Sequence, residues 1–257
     1  MLQARIIPCL LLKGQGLVKG KNFREHKYVG DPINAVKIFN YLEADELLFL
    51  DISATAEKRL PPLDLVQKIA DQSLMPFGVG GGISSVEDAK SVIQAGAEKV
   101  CLNTTAFENP KVITDVANVF GNQAVVVSVD YRIINGKKRI FTRCGKHEVK
   151  TEFGAMLNDL TKMGAGEIII NSIDKEGSFS GYDIQTIQEV SKSVKVPVLA
   201  SGGASSIDDL NRAIKEGCAQ AAVAGSMFVF HGPRRAVLIN YPSKEELAVI
   251  RNNYSNE

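Results

Sequence analysis

The chain has 257 residues, 45% of them hydrophobic and 23% charged, a composition that suits a soluble globular protein with a sizeable core. Its formal net charge of +1 provides no overall basic excess for holding nucleic acid or an anionic membrane, so any bound anion needs a local site. Four widely spaced cysteines, Cys9, Cys101, Cys144 and Cys218, form no C-x-x-C pair and read as reduced thiols. No segment approaches the ~20 apolar residues of a membrane span. A cytoplasmic protein is expected, with no nucleic-acid or membrane partner, no cofactor and no bound metal.

Short β-rich runs bounded by turn residues alternate with helical patterns from one end of the chain to the other. Arg5–Leu11 is the first strand, and a Gly-rich connection, Lys13–Gly30, separates it from a helical segment at Pro32–Leu42. Glu46–Asp51 then precedes Leu63–Gln72, Phe77–Gly80 precedes Val86–Ala95, and Lys99–Leu102 precedes Val112–Phe120. In the second half, Ala124–Asp130 leads to Phe153–Met163, Glu167–Asn171 to Ile184–Ser193, and Val196–Ala200 to Ile207–Glu216. Ala221–Ala224 is the eighth strand. Two connections exceed the ~12–15 residues beyond which loops are usually functional. Lys13–Gly30, with Gly14, Gly16, Gly20 and Lys19, suits a mobile lid with a cationic tip. Tyr131–Glu152 carries Asn135-Gly136 between β-forming runs and predicts a hairpin.

The chain also repeats itself, since Pro76–Thr105 aligns without a gap on Pro197–Ser226 at an offset of 121 residues. Gly81/Gly202, Gly82/Gly203, Ser84/Ser205, Ser85/Ser206 and Asp88/Asp209 coincide. An offset near half the chain predicts two half-barrels, about 1–120 and 121–240, because an open half-sheet leaves edges that only closure pairs. A single domain over 1–257 is therefore expected, a (β/α)₈ TIM barrel of the usual ~250-residue size.

In each half the Gly-Gly turn opens a helix, where unencumbered N–H groups and the positive end of the helix dipole favour an anion. The following strand ends in small or polar residues that can complete a cradle. The candidate phosphate-binding residues are Gly81, Gly82, Asn103 and Thr104 in one half and Gly202, Gly203, Gly225 and Ser226 in the other, with Gly177 added to the set. Two such cradles at one barrel mouth imply a ligand with a phosphate at each end.

Residues such as Arg5-Ile6-Ile7-Pro8-Cys9-Leu10, Gly30-Asp31-Pro32, Phe49-Leu50-Asp51-Ile52, Val79-Gly80-Gly81-Gly82-Ile83, Ser180-Gly181-Tyr182-Asp183 and Ala200-Ser201-Gly202-Gly203-Ala204 carry a resemblance. In order and over about residues 1–230, the chain resembles the HisF family, the cyclase subunits of imidazole glycerol phosphate synthase. The resemblance implies a HisH-like glutaminase partner on the N-terminal face of the barrel. Ammonia from it would cross the barrel to a bisphosphorylated ribulosyl nucleotide at the other face. Arg5, Glu46, Lys99 and Glu167 stand at strand starts with alternating sign, and the resemblance identifies them as the ammonia gate.

The departures are as informative as the matches. In the family, the first strand ends in an aspartate that works as an acid/base pair with a second one on strand 5; here the first is Leu11, and only the second, Asp130, is kept. Asn171 and Glu176 replace a threonine and an aspartate. Together with Lys19, Asp51 and Asp174 they are possible supporting residues, although Asp51 and Asp174 read equally well as hydrogen-bonding residues at strand ends. Phe228–Ser243 also departs and is similar to paralogues of surface-polysaccharide gene clusters, which work with a separate sugar amidotransferase. There Arg234 and Arg235 could meet an acidic partner or a phosphate, or be plain surface charges. Three readings follow: an ammonia-channelling barrel with an altered acceptor in sugar amidination, an authentic cyclase with displaced acid/base chemistry, and a silent scaffold that activates the glutaminase.

Overall fold

The computed structural model describes residues 3–232 and 234–254. Eight strands pair in parallel: β1 (Arg5–Lys13), β2 (Leu47–Asp51), β3 (Phe77–Gly80), β4 (Lys99–Leu102), β5 (Val125–Ile134), β6 (Glu167–Ser172), β7 (Val198–Ser201) and β8 (Ala221–Ala224). Closure comes where β8 returns to β1, with Arg5 opposite Ala221 and Pro8 opposite Ala224. The architecture is the (β/α)₈ barrel that the alternation predicts. Outside the strands lie α1 (Pro32–Tyr41), α2 (Leu63–Gln72), α3 (Val86–Gln94), α4 (Lys111–Phe120), α5 (Phe153–Lys162), α6 (Ile184–Ser193), α7 (Ile207–Lys215) and α8 (Lys244–Tyr254).

Apolar side chains form two separate layers. The larger lies between strands and helices and includes Ile6, Leu47, Phe49, Phe77, Val127 and Ile168, packed against helical residues such as Phe39, Ile69 and Ile113. A second cluster, Ile7, Leu48, Cys101, Val126, Ile169, Leu199, Ala221 and Val223, fills the barrel interior, with Cys9 and Leu50 packed against it. Successive strand residues point to opposite faces, so one sequence run supplies both layers, and this is why the strands read as nearly continuous apolar runs.

The repeat reappears in hydrogen bonding. Leu47 N–H donates to the Pro76 carbonyl at 3.0 Å, and Ile168 N–H donates to that of Pro197 at 3.0 Å. Pro197 has no N–H to give, which moves the start of β7 from the expected Val196 to Val198. Ser85 Oγ accepts from Asp88 N–H at 3.1 Å and Ser206 Oγ from Asp209 N–H at 3.2 Å, capping α3 and α7 in the same way.

Both long connections are β-ribbons. β1 runs on into an antiparallel pair, Gly16–Lys21 with Arg24–Gly30, turning at Asn22 and Phe23 in left-handed backbone. β5 continues to Ile134, turns at Asn135-Gly136 as expected, and returns as Lys137–Thr142, which then pairs with His147–Val149. The departing C-terminal segment folds back under the barrel. Tyr241 packs on Phe39 and Phe228, its hydroxyl donates to the Ile6 carbonyl at 2.8 Å, and it accepts from Asp45 N–H at 3.2 Å. Among the described residues no helix is long and apolar enough to cross a membrane.

Candidate functional site

At the N-terminal end of the barrel, Arg5, Lys99 and Glu167 are the first residues of β1, β4 and β6, and Glu46 immediately precedes β2. Their side chains meet as a closed ring. Arg5 bonds Glu46 on one side and Glu167, at 2.6 Å, on the other; Lys99 Nζ reaches Glu46 at 2.9 Å and Glu167 at 3.1 Å. Glu46 is 5% and Glu167 9% exposed, so both carboxylates depend on these partners for solvation. Burial works against the Arg5 charge, but Glu167 and Glu46 outweigh it and raise the pKa of the guanidinium. The apolar interior layer lies on the barrel side of the ring.

At the C-terminal end opens a cavity of about 840 Å³ whose floor includes the interior residues Leu48, Cys101, Ile169 and Val223. Asp130, from β5, is buried there and held by three side chains. Its Oδ1 accepts from Asn171 Nδ2 at 2.9 Å and Ser128 Oγ at 3.1 Å, and its Oδ2 from Asn103 Nδ2 at 3.3 Å. Burial pushes its pKa up to about 6, although the bonds from Asn171 and Ser128 pull it down. Leu11 lines the same cavity from β1, four strands away around the barrel and hence across it. Glu176, from the connection after β6, is half-buried on the cavity wall; burial raises its pKa, and Lys19 opposes that rise.

Other expectations change in three dimensions. Lys19 is not at the tip of a lid: it is 3% exposed in the middle of the first ribbon, and its ammonium donates to the Cys9 carbonyl beside Gly225. Asp51 lines the cavity and is also paired with Arg59 at 2.6 Å, accepting from Ser53 and Ala54 N–H at 2.9 and 3.1 Å. Asp174 is exposed, pairs with Arg132 at 2.9 Å and does not line the cavity. Arg235 stacks on Phe179, its guanidinium 4.6 Å from the ring centre, and Arg234 is exposed.

The two cradles are alike in backbone and unlike in access. A Cβ on Gly82 would strike the Arg59 carbonyl, and one on Gly203 the Gly181 carbonyl, so each pair has a packing reason to be glycine. α3 and α7 are capped by their own serines, and the next strands are followed by the short turns Thr104–Glu108 and Ser226–Phe228. Their cap residues, Asn103 and Gly225, make no side-chain cap bond. Gly81, Gly82, Asn103 and Thr104 all line the cavity, whereas Gly202, Gly203 and Ser226 are buried beneath it and Gly225 alone of that set reaches it. Gly177 lies against the carbonyl of Gly20, where the first ribbon crosses. Ser226 Oγ and Asn171 Oδ1 are buried polar atoms with no partner among the described residues. Sequence reasoning missed the basic lining of the mouth, Lys13, His26, Arg143, Lys146 and His147, although their clustering in two loops was countable.

The fold and this pair of ends define a barrel protein with a charged ring at one end and a cavity at the opposite mouth. The chain belongs to the histidine biosynthesis protein family, which it matches over residues 5–233. It is 44% identical over 248 residues to a Vibrio vulnificus protein provisionally named imidazole glycerol phosphate synthase subunit hisF3, covering 96% of this chain and 95% of that one. It is also 44% identical over 250 residues to the Pseudomonas aeruginosa protein provisionally named subunit hisF2, covering 97% and 100%. Identity to the imidazole glycerol phosphate synthase subunit HisF of Alkaliphilus metalliredigens is 42% over 232 residues, 90% of this chain and 92% of that one. The chain is thus a HisF-like synthase subunit.

Proposed function

We propose that this subunit receives ammonia from a HisH-like glutaminase docked on the ring end of the barrel and passes it to an acceptor at the cavity other than the usual imidazole precursor. A sugar undergoing amidination for surface polysaccharide is the acceptor that fits this reading, with a separate sugar amidotransferase as a further partner. The observation that carries it is Leu11 across the barrel from Asp130. Leucine can neither take nor give a proton, and loss of a positioned acid or base costs ~10²–10⁴ in rate. The ring and apolar interior, which ring closure alone would not require, are retained. A neutral molecule the size of ammonia suits such an interior, because a charged one would lose its hydration there.

The ligand at the mouth carries phosphate in this reading. Support comes from the uncapped turns in the two halves, the cationic Lys19 beside Gly225 and the unpartnered Ser226 Oγ. The free cysteines fit a cytoplasmic setting. A second reading, an authentic cyclase, has one observation in its favour: Glu176 shares the cavity with Asp130 and could supply the missing acid or base. The test supplies the purified chain and its glutaminase with glutamine labelled at the amide nitrogen. Cyclisation of the bisphosphorylated ribulosyl nucleotide should be negligible, while label appears in an aminated sugar once the sugar amidotransferase is added. Robust cyclisation would establish the second reading instead.

A further inference from the structure

The chain is nearly neutral, yet its charge is sharply sorted. Twelve of its 30 Lys and Arg fall within residues 13–27 and 131–150, the two ribbons, against two of its 29 Asp and Glu, a local charge of +10. The remaining 18 cations and 27 acids leave the rest of the chain at −9. The ribbons adjoin, since a Cβ on Gly145 would lie 3.3 Å from the Phe23 ring, so their charges form one surface beside the cavity. Strand pairing adds to the repulsion. Lys21 stands opposite Arg24, Lys19 opposite Lys27 and Arg132 opposite Arg139, and like charges directly across a strand pair destabilise it. Asp174 and Glu148 relieve Arg132 and Arg139. Lys21, Arg24, Lys27 and Lys137 are exposed, form no ion pair with any described residue and do not line the cavity. In the same ribbons stand Tyr28, 69% exposed, and Ile133, 53% exposed.

A small ligand inside the cavity cannot touch those four cations, so their repulsion is offset only by something large enough to lie over the ribbons. An exposed tyrosine and isoleucine among arginines and lysines make a patch of the kind proteins bind, where aromatic side chains anchor and charges at the rim steer. We infer that the two ribbons form a docking surface for a second protein, one that presents an acidic, partly apolar face and consumes the ammonia leaving the barrel. This rests on the ammonia reading given above, and the chemistry calls for it. Leu11 leaves the cavity without one member of its acid/base pair, and ammonia set free in neutral water takes up a proton and ceases to be a nucleophile. A consumer must therefore abut the mouth. The acidic surface elsewhere on the chain repels such a partner and directs it to the ribbons. A nucleic acid strand carries charge along its whole length and would run onto surface that repels it.

The experiment measures binding of the sugar amidotransferase to the complex of this chain with its glutaminase, by surface plasmon resonance from about 50 to about 300 mM NaCl. The same mixtures, given amide-labelled glutamine, report transfer of label to the sugar. The triple variant Lys21→Glu, Lys27→Glu, Lys137→Glu reverses charge only at exposed residues outside the cavity. Wild-type affinity should fall about tenfold across the salt range, and the variant should bind ~10²-fold more weakly at low salt. Its melting temperature and its glutamate release should match the wild type, and labelled product lost at low amidotransferase concentration should return at high. Affinity indifferent to both salt and the variant overturns the docking surface. Transfer of label with no detectable complex overturns it too, and leaves the ammonia reading standing. Neither complex nor label removes both, whereas a complex without label keeps the surface and removes the ammonia reading. Self-association of the chain that the variant abolishes, or tighter binding of a single-stranded oligonucleotide than of the amidotransferase, overturns the proposal in favour of that occupant.

Discussion

At the ring end of the barrel, four charges satisfy one another in a closed circuit from Arg5 through Glu46, Lys99 and Glu167. At the mouth, Asp130 is held by neutral donors, faces a leucine, and shares the cavity with Lys13 and Lys146, which form no ion pair with any described residue. The residue types are the same at both ends, but the accounting of charge differs. A circuit that balances internally serves shape, and any member removed leaves its neighbours stranded. An imbalance at a cavity mouth is a vacancy for a ligand, and removing one member mainly weakens what the ligand feels.

The largest expected effect lies at the mouth. Leu11→Asp places a carboxylate across from Asp130, and if the remaining cavity is intact, ammonium-dependent cyclisation of the ribulosyl nucleotide should rise by ~10² or more. Steady-state rates at saturating ammonium decide the matter, and an inactive, well-folded variant would mean that the cavity has diverged beyond that one position.

Next comes the ring. Lys99→Ala leaves Glu46 and Glu167 facing one another with only Arg5 between them, and breaking a buried ion pair costs ~3–5 kcal/mol when desolvation is complete, less where water reaches the ring. Melting temperature should fall, and the ratio of glutamate released to aminated product should climb as ammonia escapes. An unchanged ratio in a folded variant would reduce the ring to a structural clasp.

Asp130 offers a pH test. Its folded pKa of about 6 lies above the ~3.9 of an unfolded aspartate. The folded state therefore holds the proton more tightly, so this group's contribution to stability is fully present below about pH 4 and is lost as pH rises through about 6. The loss is of order 2–3 kcal/mol. Denaturant titrations between pH 4 and 8 should show that slope in the wild type and a flatter one in Asp130→Asn; parallel slopes would place the titration elsewhere.

The smallest effect belongs to the C-terminal strap. Tyr241→Phe removes the hydroxyl bridge between the Ile6 carbonyl and the Asp45 amide, one residue from Arg5 and Glu46 respectively. A cost of about 1–2 kcal/mol is expected for the two bonds. If the strap also steadies the ring, the variant should share part of the Lys99→Ala uncoupling, read from the same product ratio.

Much of this was legible in the sequence. Eight apolar runs set the barrel, and Ser85 and Ser206, aligned by the 121-residue offset, prove to be matched caps. The four ring residues were readable because a strand start fixes which end of a barrel a side chain occupies. Lys19 was not, because the segment reads as a loop and its burial depends on the pairing of Gly16–Lys21 with β1 and with Arg24–Gly30 and on the Cys9 carbonyl. Asp51 and Asp174 looked alike as strand-end aspartates. What separates them is distant in the chain: Arg59 folds back on one, and Arg132 draws the other out toward the second ribbon. The Gly-Gly turns lie where the repeat places them, but Ser85 and Ser206 cap the helices that follow, while the short turns after the next strands have no side-chain cap.

The basic lining of the mouth, Lys13, Arg143 and Lys146 among it, bears on the protonation state of nitrogen there. A potential that welcomes anions raises the free energy of ammonium at the same spot, while uncharged ammonia is indifferent to it. If the barrel is fed with ammonia from the ring end, as proposed, this lining would act as a check on protonation state. Ammonium in the surrounding solution would be turned away from the mouth, and an ammonia molecule arriving through the apolar interior would meet a field that disfavours its capture of a proton. Nitrogen delivered from within then has the advantage over nitrogen dissolved outside, without any moving part at the exit.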